Sequence, residues 1–451
     1  MPSNDGTGLV SIEEHEGTWW FSGPTGERFL SLGVNHIEPH LWMGAYNMEH
    51  TIAQYGSDFV LPNGRFNPDG SAAAAWINNL VEVCKSLGFN TFAKHTHPAI
   101  PSQLYQDQIY YVASLETAPL GHWRQAKGES PMPDVFSTDF EHHLAEKVRL
   151  ACEEHSGSPN LLGYLYVDVP LWETNQTPGS REDDVMIYPW VNAIVRLAEY
   201  APGKRAWIEH LKGRYADAEA AARSWGVTIS RAYGSSWEYL SRLNTWFHPA
   251  DRDRARDDLS AFMGKIAERW YGLHHDEIRK HDPDHLILGD KSRVDTFRDW
   301  LVPALKKYVD VVLIQSYNQF GKDREMTDWI YEQTGKPILN GDGSFGYPNP
   351  HQQKYSVKGF RSNAQNVEEV AGMYRRYMEE ILSTPYFVGW HHCGFLEQWD
   401  ESERGDVNSN ENGFLDPFGN EYTAWTDVIR DTNSRASDLH DNAVPIKRPR
   451  T

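Results

Sequence analysis

The sequence predicts an α/β protein, a (β/α)₈ TIM barrel with an N-terminal β-hairpin and a helical insertion after its fourth strand. Eight short runs of β-branched or apolar residues alternate with long amphipathic stretches, the order of βα units around a parallel sheet. The runs stay apolar until their last residues, as strands covered on both faces should, and then end in polar, ionisable side chains. A doubly wound open sheet would normally carry a Gly-rich phosphate loop after its first strand, and none follows the first run.

The segment TWWFSGPTGERF reads as the hairpin, turning at Gly23 to Gly26. The eight strands then follow as FLSLGVN, FNTFAKH, IYYVASL, LLGYLYVD, LILGDK, VVLIQSY, PILNGD and YFVGWHH. Between them lie helical patterns such as AAAAWINNLVEVCKSLG, stopped by Gly88, and NVEEVAGMYRRYMEEILS. The segment from about 203 to 248 is extra helix after the fourth strand, expected beside the mouth of the cleft. A long helix, RARDDLSAFMGKIAERWYGLHHDEIRKHD, then leads to the fifth strand. With no internal repeat and no low-complexity linker, residues 1–436 are expected to form one catalytic domain and 437–451 a frayed tail.

Composition narrows the function. A chain of 451 residues with 40% hydrophobic and 24% charged residues is globular, and no apolar run approaches the roughly 20 residues that cross a bilayer. No membrane partner is therefore expected. The opening MPSNDGTGLVSIEEHEG has neither the basic start nor the apolar stretch of an export signal. That reads as cytoplasmic for the chain as given, and as secreted or periplasmic if it is trimmed from a longer one. Cys84, Cys152 and Cys393 lie far apart and read as reduced thiols. A net charge of −20 repels phosphate backbones, which argues against a nucleic-acid partner. Among 17 Trp, 22 Tyr and 18 Phe most should fill the core, while Trp390, Trp399 and Trp42 are the candidates for stacking on sugar rings.

In a parallel barrel the site is built at the C-terminal ends of the strands, where the loops converge. The candidates there are Asn35 and His36; Lys94, His95 and His97; Asp168; Lys291 and Arg293; Gln315, Tyr317 and Asn318; Asp342; and Trp390, His391 and His392. Any one of them could cap a helix or satisfy a loop, but eight strands ending this way is hard to obtain by chance. Asp168 and Asp342 are the important pair, because glycosidic cleavage needs two carboxyl groups facing one cleft.

At these residues the sequence resembles the clan A glycoside hydrolases, above all the β-agarases of family 50 and more distantly the β-galactosidases of family 42. The resemblance runs from about residue 17 to 435. It is carried by WWFSGPTGERFLSLGVNHI, LGYLYVD, HDPDHLILGD, GKPIL, FVGWHHCGFLEQWD and NENGFLDPFGNEYTAWTDVIRDTN, and by the insertion WIEHLKGRYADAEAAARSWG followed by SSW. It implies a polysaccharide-cleaving hydrolase that needs no cofactor and no metal. It also exposes a departure. The family's fourth strand ends in Asp-Asn-Glu with the Glu as acid/base; here Asp168 matches the Asp, and Val169 and Pro170 stand in the other two places. The nucleophilic Glu of the seventh strand falls on Asp342, one methylene shorter, which leans towards inversion.

Several chemistries follow from this departure. In the first, Asp168 or Asp342 works with a histidine, His95 or His391 foremost, as acid and base, since imidazole titrates near neutrality. In a second, a metal held by His95, His97 and a carboxylate activates water. In a third, the pocket binds saccharide without catalysis. Glu173 is a further acid near the fourth strand and ranks behind Asp168. Lys94, Lys291 and Arg293 point to a saccharide with a uronate, sulfate or other acidic group, ordinary ion pairing with Asp290 or Asp295 being the alternative. A uronate substrate would bring in a β-eliminating lyase with Lys, His or Tyr317 as base.

Overall fold

The computed structural model describes residues 8–118, 132–170, 172, 188–230, 236–244, 249–347, 362–399 and 413–444. The chain opens with an antiparallel sheet of β1 (Ser11–His15), β2 (Thr18–Ser22) and β3 (Arg28–Phe29). The turn between β2 and β3 falls where its sequence put it, with Gly23 N donating to Glu27 O at 2.8 Å and Gly26 N to Gly23 O at 2.9 Å.

Eight strands then close on themselves. They are β4 (Ser31–Val34), β5 (Thr91–Phe92), β6 (Tyr110–Ser114), β7 (Leu161–Asp168), β8 (Ile287–Arg293), β9 (Val312–Gln315), β10 (Ile338–Gly343) and, after the short parallel pair β11 (Phe345–Gly346) and β12 (Ser362–Asn363), β13 (Phe387–His392). Each of the eight apolar runs supplies one barrel strand, and every barrel pairing is parallel. The ring is completed by β13 against β4, where Gly389 faces Ser31. Gly389 sits at φ 150°, and a β-carbon there would lie 2.0 Å from the Ser31 carbonyl oxygen, so only glycine lets the two strands approach.

Helices cover the outside of the barrel. Their ends follow local chemistry: Ser137, Asp251 and Asn366 each accept a backbone N–H at the start of helices Thr138–His155, Arg252–His281 and Val367–Leu382. The helix Phe320–Thr334 stops at Gly335 in the left-handed conformation. Helix Arg252–His281 buries Leu259, Phe262, Ile266 and Trp270 and ends in Arg279, Lys280 and His281, which complement its dipole. Helices Pro202–Lys212, Ala218–Ser224 and Ser236–Arg242 occupy the stretch read as an insertion. The segment after 437, expected to fray, begins instead as part of helix Ala436–Asp441. Its His440 is buried, with Nδ1 2.7 Å from Leu382 O and Nε2 2.8 Å from Trp19 O. Among the described residues no helix is long and apolar enough to cross a membrane.

Candidate active site at the strand ends

Lys291 is the centre of the site. It stands opposite Asp168 in the β7–β8 register, so neighbouring strands bring ammonium and carboxylate together without help from any loop. Lys291 Nζ lies 2.9 Å from Asp168 Oδ1 and donates to Asp342 Oδ2 at 2.6 Å. Asp342 also accepts from Gln315 Nε2 at 3.2 Å and, through its other oxygen, from Asn35 Nδ2 at 3.3 Å. The second barrel strand contributes His95. Its Nε2 is 3.3 Å from Asp168 Oδ2, 3.8 Å from Asp342 Oδ2 and 3.1 Å from Lys291 Nζ, and its backbone N–H donates to Asn35 Oδ1 at 3.3 Å. Six strand ends therefore meet in one cluster of Asn35, His95, Asp168, Lys291, Gln315 and Asp342.

The cluster has a floor and a wall. The side chain of Lys291 is fully buried and that of Asp342 is 3% exposed, whereas Asp168 and His95 are 19% and 20% exposed and face the opening. Burial disfavours ionised carboxyls, but the Lys291 ammonium and then His95 outweigh it, holding both Asp168 and Asp342 well below the ordinary carboxylate range. Lys291 in turn loses solvation, yet its two carboxylates hold it above the ordinary lysine range. Neither aspartate is a proton donor in this state. Both bridged oxygens touch one nitrogen, so they are at most about 5.5 Å apart. Lys291 draws the two carboxylates together, and with both ionised their spacing does not bear on the lean towards inversion.

Backbone strain marks the same rim. Among the described residues, three non-glycine residues just beyond barrel-strand ends adopt left-handed backbone: His36 (φ 65°) after β4, Glu116 (φ 46°) after β6 and Val169 (φ 43°) after β7. For a β-branched valine this is a true outlier, and such outliers gather where a site over-determines the chain. Val169 N donates to Lys291 O at 2.8 Å, which ties the strained residue to the strand carrying the ammonium.

Other candidates go elsewhere. His391 lies deeper in the barrel interior, its ring over Gly33 and its Nε2 2.8 Å from Ser31 Oγ, and burial lowers its pKa to about 3. The structure therefore corrects its selection as an acid or base, since a neutral imidazole turned inward cannot reach a sugar. His392 is enclosed by Trp390, Phe414 and Trp425. Trp390 is buried against Phe345, Tyr374 and Tyr377, and Trp42 against Tyr55 and Trp76, so neither offers a face for stacking. Trp399 is half-buried beside Tyr46, with ring centroids 5.4 Å apart. Tyr317 accepts from Gln315 Nε2 at 3.2 Å and donates to Cys393 Sγ at 3.3 Å. Asn318 donates to Asp323 Oδ1 at 2.9 Å, bracing the start of the helix after β9. His97 Nδ1 accepts from Ala99 N at 3.1 Å and stands outside the cluster, so the metal trio built on His95 and His97 is not the one the fold assembles. Glu173 lies outside the described residues.

The three cations read as a signature of an acidic sugar each have an acidic partner: Lys94 pairs with Glu116, Arg293 with Asp295 through two bonds of 3.0 and 2.8 Å, and Lys291 with the aspartates. For Arg293 this is the ion pairing with Asp295 that stood as the alternative to an acidic sugar. Sequence reasoning missed Glu38, which accepts or shares a proton with His36 Nδ1 at 2.9 Å and lies 3.2 Å from His40 Nδ1. The signal was present in HIEPH, a histidine and a glutamate two apart directly after a strand end.

Comparison with known proteins adds to this geometry. No family model matches the sequence. The chain is similar to β-agarase B of Vibrio sp. (strain JT0107), with 22% identity over 496 residues that cover 96% of this chain and 48% of that protein. It spans about half the length of that curated relative. Among solved structures it superposes on the agarase AgWH50C (TM-score 0.76, 19% identity), on an exo-β-agarase (0.75, 19%) and on PfGH50B (0.76, 17%). These superpositions cover 97%, 97% and 98% of this chain and 66%, 66% and 67% of the other chains. The fold is that of the agarases. The relative in sequence and two of these solved structures carry that name, and the likeness covers nearly all of this chain.

Three buried histidines give the fold a pH dependence. His391 and His274 are pushed down to about 3 and His210 to about 4, in each case by burial. An unfolded histidine titrates near 6.5, so each stays neutral in the fold while its unfolded counterpart takes up a proton. Their contribution is complete above about pH 6.5 and is lost as pH falls towards the folded values. Asp290, whose buried carboxyl is pushed up to about 7, opposes them with one proton over the same window. Three against one leaves a net loss on acidification, expected to exceed about 1 kcal/mol per pH unit between pH 6 and 5. Urea midpoints that stay level across that interval would contradict it.

Proposed function

We propose that the chain is a glycoside hydrolase that cleaves galactose-type polysaccharide of the agar kind, or oligosaccharide derived from it, at the cluster around Lys291. The observation that carries this reading is the meeting of Asp168 and Asp342, from the fourth and seventh barrel strands, at one partly open cluster beside His95. The names of its agarase neighbours support the substrate class.

The chemistry has to respect the charge state. Since Lys291 keeps both carboxyls ionised, the proton for the departing glycosidic oxygen falls to His95, the titratable side chain of the cluster that faces the opening. Protonation of that oxygen by the imidazolium breaks the bond to the anomeric carbon, and the positive charge that develops there meets the two aspartates. Asp168, the more exposed carboxylate, is placed to attack the anomeric carbon or to take a proton from the incoming water; Asp342 and Lys291 form the electrostatic frame. In either case water ends on the anomeric carbon, and its proton reaches His95 Nε2, directly or by way of Asp168 at 3.3 Å, to restore the imidazolium.

Incubating the protein with neutral agar-type oligosaccharides and with uronate-containing glycans should release reducing ends from the former. Ultraviolet-absorbing unsaturated products from the latter, without reducing ends from the former, would instead indicate elimination. Saccharide binding with no product from either would reduce the chain to a binding protein.

A further inference from the structure

A second constellation stands at the barrel mouth. His36 and Glu38 follow β4 and His95 follows β5; one ring nitrogen from each histidine and one carboxylate oxygen of Glu38 all lie within 4.8 Å of one another. Two imidazoles and one carboxylate are the protein ligands of three-ligand zinc centres, which keep a fourth position for water. A second observation points the same way. Behind His95 stands Asp168, whose Oδ2 is 3.3 Å from Nε2, the carboxylate–histidine pairing that fixes the tautomer and orientation of metal-bound imidazoles.

We propose that His36, Glu38 and His95 bind one divalent transition-metal ion, with Zn²⁺ the best match to this mixed nitrogen and oxygen set. The structure also states what binding requires. The rings of His36 and His95 lie parallel, 4.5 Å apart with 6° between their planes, so two in-plane lone pairs cannot meet at one point. One ring must turn, giving up the stack, and the proton between His36 Nδ1 and Glu38 Oε1 must leave. Binding therefore releases protons and weakens as pH falls. His36 holds a left-handed backbone at φ 65°.

The trio shares His95 with the hydrolytic cluster, so a bound ion and the imidazolium acid exclude one another; the proposal rests on the trio's geometry and its test reads binding. Tag-free protein, freed of metal by chelation and dialysis, is titrated calorimetrically with Zn²⁺ at neutral pH in two buffers of different ionisation enthalpy. One equivalent should bind with net proton release. Glu38→Gln and His36→Asn should each weaken binding by at least about ten-fold; asparagine is chosen because it tolerates the left-handed backbone. Circular dichroism and thermal melting establish that the variants fold. Co²⁺ in the wild-type protein should show the visible bands of nitrogen and oxygen ligation, a readout that needs no variant. Absence of saturable Zn²⁺ binding by the wild type, or folded variants that bind as tightly as it does, overturns the assignment.

Discussion

Asp168→Asn and Asp342→Asn should each lower turnover of an agar-type oligosaccharide by at least about 10²-fold, the low end of what a positioned acid or base contributes. The substitutions preserve shape and remove charge. Their effects should separate in kind. Asp168 is partly exposed and touches His95, so its loss should act on the reaction itself and shift the pH dependence of turnover by removing the imidazole's partner. Asp342 is buried and holds Lys291, Gln315 and Asn35, so its loss should also loosen the frame. Rates within a few-fold of wild type in a folded Asp168→Asn variant would take that residue out of the chemistry, and the same result for Asp342→Asn would do so for its partner.

Lys291→Met should be the most destabilising single change at the site, by about 3–5 kcal/mol, the usual consequence of removing one member of a buried ion cluster. What remains is worse than an empty place: two aspartates that share one ammonium become neighbours of like charge without it. The pH dependence supplies a signature that simple loss of packing would not. In the wild type both carboxyls titrate below their unfolded value, so their contribution is present above about pH 4 and is lost only below it. In the variant their mutual repulsion raises the folded value of one of them, and the deficit should shrink as pH is lowered from 7 towards 5 and that carboxyl takes up a proton. Urea unfolding of both proteins at the two pH values measures this; a deficit constant with pH would contradict the electrostatic account.

The barrel was legible because its signals are local. A strand covered on both faces must be apolar, and it announces its end by turning polar, so all eight strands could be read from runs of a few residues each. The same reasoning collected Asn35, His95, Asp168, Lys291, Gln315 and Asp342 into one list, and these six do meet. What it could not separate was which way each listed side chain points. His391, His392 and Trp390 end the same strand, yet one turns into the barrel interior over Gly33 while the other two turn out among aromatic rings. A shift of one residue in register exchanges these faces, and nothing local in FVGWHH fixes it. Charge partners were equally hidden. Lys94 and Glu116 come from different strands, and only closure of the ring makes them neighbours. Glu38 was overlooked because it lies past the strand end in a loop, where an acid ordinarily means solvent.

The left-handed turn at Val169 carries a consequence for the cost of the strand end. Valine is among the residues that tolerate this conformation least and asparagine among those that tolerate it best. The main chain at the end of the fourth strand thus has a shape that suits a side chain it does not carry, and the bond from Val169 N to Lys291 O is part of what holds it there.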